Sequence, residues 1–492
     1  MPRAFYLLLL PLLAPCQVPG QLTRALDVRE LPYERALEKL PVDLTATVGF
    51  IEGQGTVFVQ DETAGTHLHL KPAAMELKVG DRVRAEGVTM PGLYLPGVAV
   101  TRLEVLGHGP APEPITASYD DLTSGKYHYQ RVLVEGVGRR LTQVDENRSL
   151  LRLMLGGRVL EVRIDGAPRT SLDVVDARLR IVGLAAGGIN DRRQLVFPYL
   201  RVAGWEDVTV TEGARPVKEL SPVAVEGLLR FGSDEAAHRV RVRGVVLAAF
   251  EDGRVFVRDR RLSEGEMEAA KEAGNAMRAI GAQVVNPQPM QIGRIIDLIG
   301  FPVMDRFSAT LADAEVHDVS QQSEEVGPME ATAEELIDGK YDADLVTLSA
   351  RLANAFRTRE GYDLRLEAGE VSLRALLPAS EPVRDLAAGA LLRLTGICQV
   401  ESSTDKGFRS RADRAVILLR GTADLQLLEA PPWWTARRLA IAVGTLGGVV
   451  VLGMIWILLL RGQVLRQSAA LSAGVAQKAA LEERQRIARE FH

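Results

Sequence analysis

The sequence predicts a mainly β chain of tandem small closed barrels, followed by one transmembrane α-helix and a further helical segment. Three observations lead there. Short runs alternate apolar and polar residues with period two from about residue 40 to 430. These runs recur in four units, each closing on a strand that ends in glycine. A single uncharged run, Leu439 to Leu460, then leads into a tail of charged helix formers.

The bounds set by composition agree. At 492 residues the chain is too long for one domain, and 47% hydrophobic content leaves ample material for several cores. A net charge of -5 with no strongly basic segment predicts no electrostatic footprint for a nucleic-acid backbone, so nucleic acid is not expected as a partner. Only Cys16 and Cys398 are present, the first in a segment expected to be removed, so no intrachain disulfide is expected.

In chain order, residues 1–20 carry Arg3, an apolar stretch from Phe5 to Ala14, and small or turn-forming residues up to Gly20. That is the layout of a secretory signal peptide, short for a span, with cleavage after Gly20 as one site and a retained N-terminal anchor as the alternative. Pro15 beside Cys16 fits a lipoprotein box poorly.

Four barrels are then expected, over residues 40–115, 116–215, 220–328 and 330–430. Their opening strands are Val42–Val48, Val132–Val137, Val240–Val245 and Leu345–Arg351. Similar lead-ins, Asp121–Tyr127, Val225–Phe231 and Glu335–Tyr341, precede the last three. The closing strands end at Gly87, Gly183, Gly300 and Gly396, spaced 96, 117 and 96 residues apart. Hairpin pieces such as Gly55–Asp61 and Gly253–Asp259 lie between, and five or six short strands with corner glycines suit a small closed barrel. The third unit is longer because Ser263–Ile280 reads as a helix with an N-cap serine, placed between the middle and closing strands.

An oligonucleotide/oligosaccharide-binding (OB) barrel carries a helix between its third and fourth strands, and the segments Val57–Gly65 and Val83–Gly92 resemble the F-V-Q-D-x-T-G and V-x-V-x-G-x-T-x-P-G patterns of such barrels in periplasmic sensor regions. The resemblance is strongest in the first unit.

Ligand positions in the barrels are thin. His67 and His69 share one face of a strand, where a metal has two of the ligands it needs, although no cysteine or carboxylate pattern supports one and the plainer reading is a solvated face. Phe58, Tyr94 and Tyr199 are stacking platforms for sugars or core residues.

The run Leu439–Leu460, 22 residues or roughly 33 Å of helix, predicts a transmembrane helix over residues 439–460. Trp433 and Trp434 mark its outer interface; Arg461, Arg466, Lys478, Arg484, Arg486 and Arg489 place the tail inside, against the opposing Arg437 and Arg438. Gly444 and Gly448 form a small-xxx-small pair that either packs a dimer or reflects span composition. Residues 461–480 read as a signalling helix with weak heptads, and 481–492 as the start of a further helix. In the latter Ala480, Ile487 and Phe491 form the buried stripe, and His492, about 100° round from Phe491, shares a face with Gln485 and Arg489. A neutral imidazole is a nucleophile toward phosphoryl groups, and a nearby arginine holds their charge.

The stretch Glu483-Arg484-Gln485-Arg486-Ile487-Ala488-Arg489-Glu490-Phe491-His492 resembles the H-box of bacterial sensor histidine kinases of the nitrate-sensor-like class, with Phe491 in place of leucine. The Pro-Pro-Trp-Trp-Thr-Ala-Arg-Arg-Leu lead into the span resembles the same group. The resemblance implies that His492 is the phosphoacceptor, supported by Arg486, Arg489 and Glu490, on the first helix of a dimeric four-helix bundle. It implies a membrane-bound homodimer in the bacterial inner membrane, barrels periplasmic and C-terminus cytoplasmic, with an unidentified external ligand or protein as stimulus and a response regulator as phosphoryl acceptor. ATP with Mg2+ is expected in a kinase domain that does not occur before His492, so this stretch reads as a truncated kinase that binds no cofactor itself. The competing reading is a non-enzymatic single-pass receptor or adhesion protein whose barrels bind glycan or protein.

Overall fold

The structure is a computed structural model describing residues 20–490 apart from 54, 72–75, 168–173, 229–236, 261–278, 318–321, 379–382, 384–385, 406–408 and 432–435. The chain divides into two units, Met1–Leu348 with Thr395–Arg420, and Ser349–Leu394 with Gly421–His492.

The first unit begins with two single-turn helices, α1 (Ala25–Arg29) and α2 (Tyr33–Leu37). Strands β1 (Pro41–Glu52), β2 (Thr56–Gln60), β3 (Gly65–His69), β4 (Asp81–Met90) and β5 (Gly97–His108) close into a barrel in the order β1-β2-β3-β5-β4. Neighbours are antiparallel except β3 and β5, which run parallel. This is the OB topology, and closure leaves no unpaired edge. Alternation decides what faces in. Val42, Leu44 and Val48 from β1 meet Val57, Val59, Leu68, Val83 and Val98, each worth about 1.5–3 kcal/mol when fully buried.

Next come β6 (Ile115–Thr116) and α3 (Tyr119–Thr123), whose capping box pairs Ser118 with Asp121. Strands β7 (Arg131–Asp145), β8 (Arg148–Leu155), β9 (Arg158–Asp165), β10 (Arg178–Ile189), β11 (Leu195–Val202) and β12 (Val208–Glu212) join β6 in a seven-stranded sheet, and a β7–β10 pairing closes its ring. Leu151, Leu153, Leu160, Ile164, Leu179, Ile181 and Leu200 fill it.

The third barrel repeats the first: β13 (Val240–Ala249), β14 (Arg254–Asp259), β15 (Ala279–Val284), β16 (Ile295–Asp305) and β17 (Ser308–His317), in the order β13-β14-β15-β17-β16. Most of the expected helix Ser263–Ile280 lies outside the described residues, and its last two residues are strand. Ala279 and Ile280 pair with Arg258 and Val257 and are buried, so alternation prevails over helix propensity there. The segment also falls between the second and third strands of its barrel rather than between the third and fourth.

After β18 (Met329–Glu330) and α4 (Ala333–Ile337), which has a Thr332–Glu335 capping box, β19 (Leu345–Arg357) opens the fourth sheet. Within the first unit β18 pairs with β19, and β22 (Leu391–Asp405) pairs with β23 (Arg409–Leu418). In the second unit β19, β20 (Gly361–Ala368) and β21 (Val371–Pro378) form an antiparallel meander, and β24 (Leu425–Glu429) pairs with the start of β22. The second unit ends in α5 (Ala436–Glu490), 55 residues without a break. It is the one helix among the described residues that is long and apolar enough to cross a membrane.

The repeat has a longer period than the four units suggest. Lead-in features return 214 residues later: the left-handed glycines Gly125 and Gly339, and the left-handed Tyr129 and Ala343. Tyr129 N–H donates to Ala185 O at 2.8 Å and Ala185 N–H to Gln130 O at 2.9 Å; Ala343 to Cys398 and Cys398 to Asp344 repeat the exchange at 2.8 and 2.9 Å. Barrels one and three are one type and sheets two and four another. Of the lead-in Val225–Phe231, likened above to those of barrels two and four, the described residues 225–228 are instead the counterpart of α1, and the rest lies outside the described residues. Its Val225 N–H donates to Asp259 at 3.0 Å as Ala25 N–H does to Asp61 at 2.7 Å.

Candidate functional site

Two places carry chemistry that the sequence singled out: the charged C-terminal part of α5 and the β2–β3 face of the first barrel.

In α5 every residue from Arg438 to Leu460 is exposed, an apolar surface of 22 residues from Leu439 with no cover from the described residues. The same helix continues through the H-box-like residues for a total of roughly 80 Å. Arg486 and Arg489, three residues apart, lie on one face; both are exposed, and Arg486 donates to Glu483 at 3.2 Å. Glu490 is the last helical residue described, and His492 lies outside the described residues. The helix thus joins the apolar run to Arg486, Arg489 and Glu490 in one continuous element.

On the first barrel, β2 and β3 place Phe58 directly opposite His67. In OB barrels this pair of strands, with the loops between strands one and two and between four and five, is the ligand-binding face. Here the lead-in of the second barrel covers it. The Tyr129 ring sits 4.9 Å from Phe58 and 5.4 Å from His67, and the His128 ring 4.4 Å from Tyr129 and 4.8 Å from Tyr94. A Cβ on Gly65 would lie 2.2 Å from Tyr129 O, so glycine is required where the two backbones meet. Gly125, at φ 72°, admits the Tyr94 hydroxyl in the same way. Arg29, from α1, clamps the arrangement by donating to His128 O and Gly125 O at 2.5 Å each and to Lys126 O at 3.0 Å.

Burial sets the charge state. It pushes His67 down to about 4, with His69 adding to the effect. It pushes His128 down to about 3, with the Arg29 charge and His67 acting in the same direction, and raises Tyr129 to about 12. Both imidazoles are therefore neutral near pH 7, and the face is an apolar and aromatic joint.

Phe58, Tyr94 and His67 are thus brought together, with Arg29, His128 and Tyr129, which sequence reasoning missed. The signal available was the recurrence of Gly-Lys-Tyr at 125–127 and 339–341. His67 is half-buried with its ring against Phe58 and Tyr129, correcting the reading of a solvated face, whereas His69 is exposed. Among the described residues no group of three His, Cys, Asp or Glu side chains could hold a metal. Tyr199 carries the Arg163 guanidinium at 3.7 Å over its ring. In the third barrel the matching face is bridged by charge: Arg258 Nε and Nη2 donate to Asp344 at 3.0 and 2.6 Å. The Phe307 ring occupies the place over Gly339 that Tyr94 has over Gly125.

No family model matches the chain, and no curated protein does. Solved structures do. A murine DNA-binding protein bound to double-stranded DNA is 11% identical, with 35% of this chain and 99% of that one covered and a TM-score of 0.20. A replication protein A heterotrimer bound to single-stranded DNA is 10% identical over 85% and 99%, TM-score 0.19. A multidomain Streptococcus pneumoniae protein with nucleic-acid-binding domains is 12% identical over 60% and 78%, TM-score 0.11. The expectation that excluded nucleic acid as a partner is withdrawn: these neighbours are bound to DNA or carry nucleic-acid-binding domains, which is a property of those proteins and fixes no partner of this chain. The physical fault lay in using a charge of -5 summed over 492 residues, which does not give the sign of any one face.

Proposed function

We propose that this chain is the input half of a membrane sensor histidine kinase, in which the barrels lie outside a bacterial inner membrane and control phosphorylation of His492. The observation that carries the reading is the unbroken helix Ala436–Glu490, which links an exposed apolar run to the H-box-like residues with no joint where a signal would be lost.

In this mechanism the barrels respond to an external ligand or protein, and the change reaches the cytoplasm through α5 and its partner in a homodimer. The imidazole of His492 attacks the γ-phosphorus of ATP, the bond from that phosphorus to the β–γ bridging oxygen breaks, ADP leaves and the ring proton passes to solvent; a response regulator then takes the phosphoryl group. ATP and Mg2+ belong to a kinase domain further along the protein. Arg489 and Arg486, exposed on the helix, offer cationic donors to the phosphoryl oxygens, and Glu490 adjoins them in sequence.

The test is phosphate labelling of the complete reading frame in membrane vesicles. Acid-labile, base-stable label that disappears in His492→Gln supports the assignment; label retained in that variant overturns it.

A further inference from the structure

The third barrel has an open end that the joint on its β14–β15 face does not use. A cavity of about 610 Å³ lies there, within the usual range for small-ligand sites of about 300–1,000 Å³. Its floor is apolar, from Val284, Ile296 and Val316, and Arg294, Glu315 and His317 border it from the strand ends.

The first barrel shows what this end looks like when it is self-contained. Gly80 and Gly293 are counterparts: both have positive φ, and both donate to the first strand, to Val48 O at 2.9 Å and Val246 O at 2.8 Å. The next residue differs. Asp81 is buried and internally satisfied, accepting from Lys78 N–H at 2.7 Å and paired with His108 Nδ1 at 2.8 Å. In the third barrel that position is Arg294. Its Nε donates to Gln291 at 3.2 Å, and its two terminal nitrogens have no hydrogen-bond partner among the described residues. A guanidinium fork left unfilled beside a cavity matches a carboxylate bidentately. Glu315, exposed and held by His317 Nε2 at 3.2 Å, supplies the opposite charge on the same cavity.

We propose that this cavity binds the zwitterionic head of a free amino acid or short peptide, its carboxylate on Arg294, its ammonium on Glu315 and its side chain over Val284, Ile296 and Val316. This gives the barrels a ligand but does not rest on the kinase reading, because binding is measured on the barrel and phosphorylation on His492.

The experiment is isothermal titration of the full chain in nanodiscs with the twenty common L-amino acids and with trialanine, each also as its C-terminal amide and its N-acetyl derivative. At least one free acid is expected to bind. Amidation should weaken it at least tenfold, as should Arg294→Ala, with Arg294→Lys between the two. Glu315→Gln should abolish the preference for the free ammonium over the N-acetyl form. Tighter binding of trialanine than of alanine identifies a peptide as the occupant, and the reverse identifies an amino acid. Both side chains are at least partly exposed, and unchanged thermal unfolding confirms that the variants fold. No binding by any probe, or binding indifferent to amidation and to Arg294→Ala, overturns the proposal.

Discussion

His67 and His128 are where pH acts on the first joint. Both have folded values lowered by burial, to about 4 and about 3, from 6.5. The unfolded chain therefore binds protons at higher pH than the folded chain, so stability is full above 6.5 and falls as pH drops from there towards 4 and 3. Thermal unfolding of the full chain in detergent should show its melting temperature falling between pH 7 and 4. His128→Gln should flatten that fall, and an unchanged slope would contradict the assignment. Arg29 gives a second test at this scale. Removing its three donations to backbone carbonyls should cost on the order of 2 kcal/mol, read by denaturant unfolding. Little of this was legible beforehand. The sequence placed Phe58, Tyr94 and His67 as isolated candidates, but the joint assembles residue 29 with residues 58, 67, 94 and 125–129. Contacts across a hundred residues leave no local pattern.

Strands were legible for the opposite reason. Alternation in Val42–Val48 or Val240–Val245 is local, and the pairing that buries it follows from the period of two. Single-turn helices such as α1 and α2 are too short for a 3.6-residue pattern and were missed. Ala279 and Ile280 went wrong because helix formers precede them and the strand that claims them is twenty residues back. At this scale Gly125→Ala is the informative change. A side chain there would be strained at φ 72° and would meet the Tyr94 hydroxyl at 2.5 Å. It should destabilise the joint by about 1–3 kcal/mol, whereas Gly156→Ala, at φ 58° with open space, should cost about 1 kcal/mol from backbone strain alone. Denaturation midpoints of the two variants make the comparison.

For the whole molecule, the duplicated pair of barrels explains why the closing glycines are spaced 96, 117 and 96 residues apart, a doubled rather than a fourfold repeat. Two joints of the same backbone design use different chemistry, rings in one and the Arg258–Asp344 pair in the other. Both sit upstream of one helix. The proposed mechanism requires that the state of the barrels reach His492 through that helix. Its most direct test is the rate of His492 phosphorylation, in vesicles and with the reading frame complete, for four chains: unaltered, Arg29→Ala, Leu471→Pro, and both together. Proline inside a helix costs about 3 kcal/mol and breaks its continuity. Arg29→Ala should change the rate severalfold in the unbroken chain and not at all when Leu471→Pro is present. An Arg29→Ala effect of the same size in both backgrounds, or no effect in either, would contradict it.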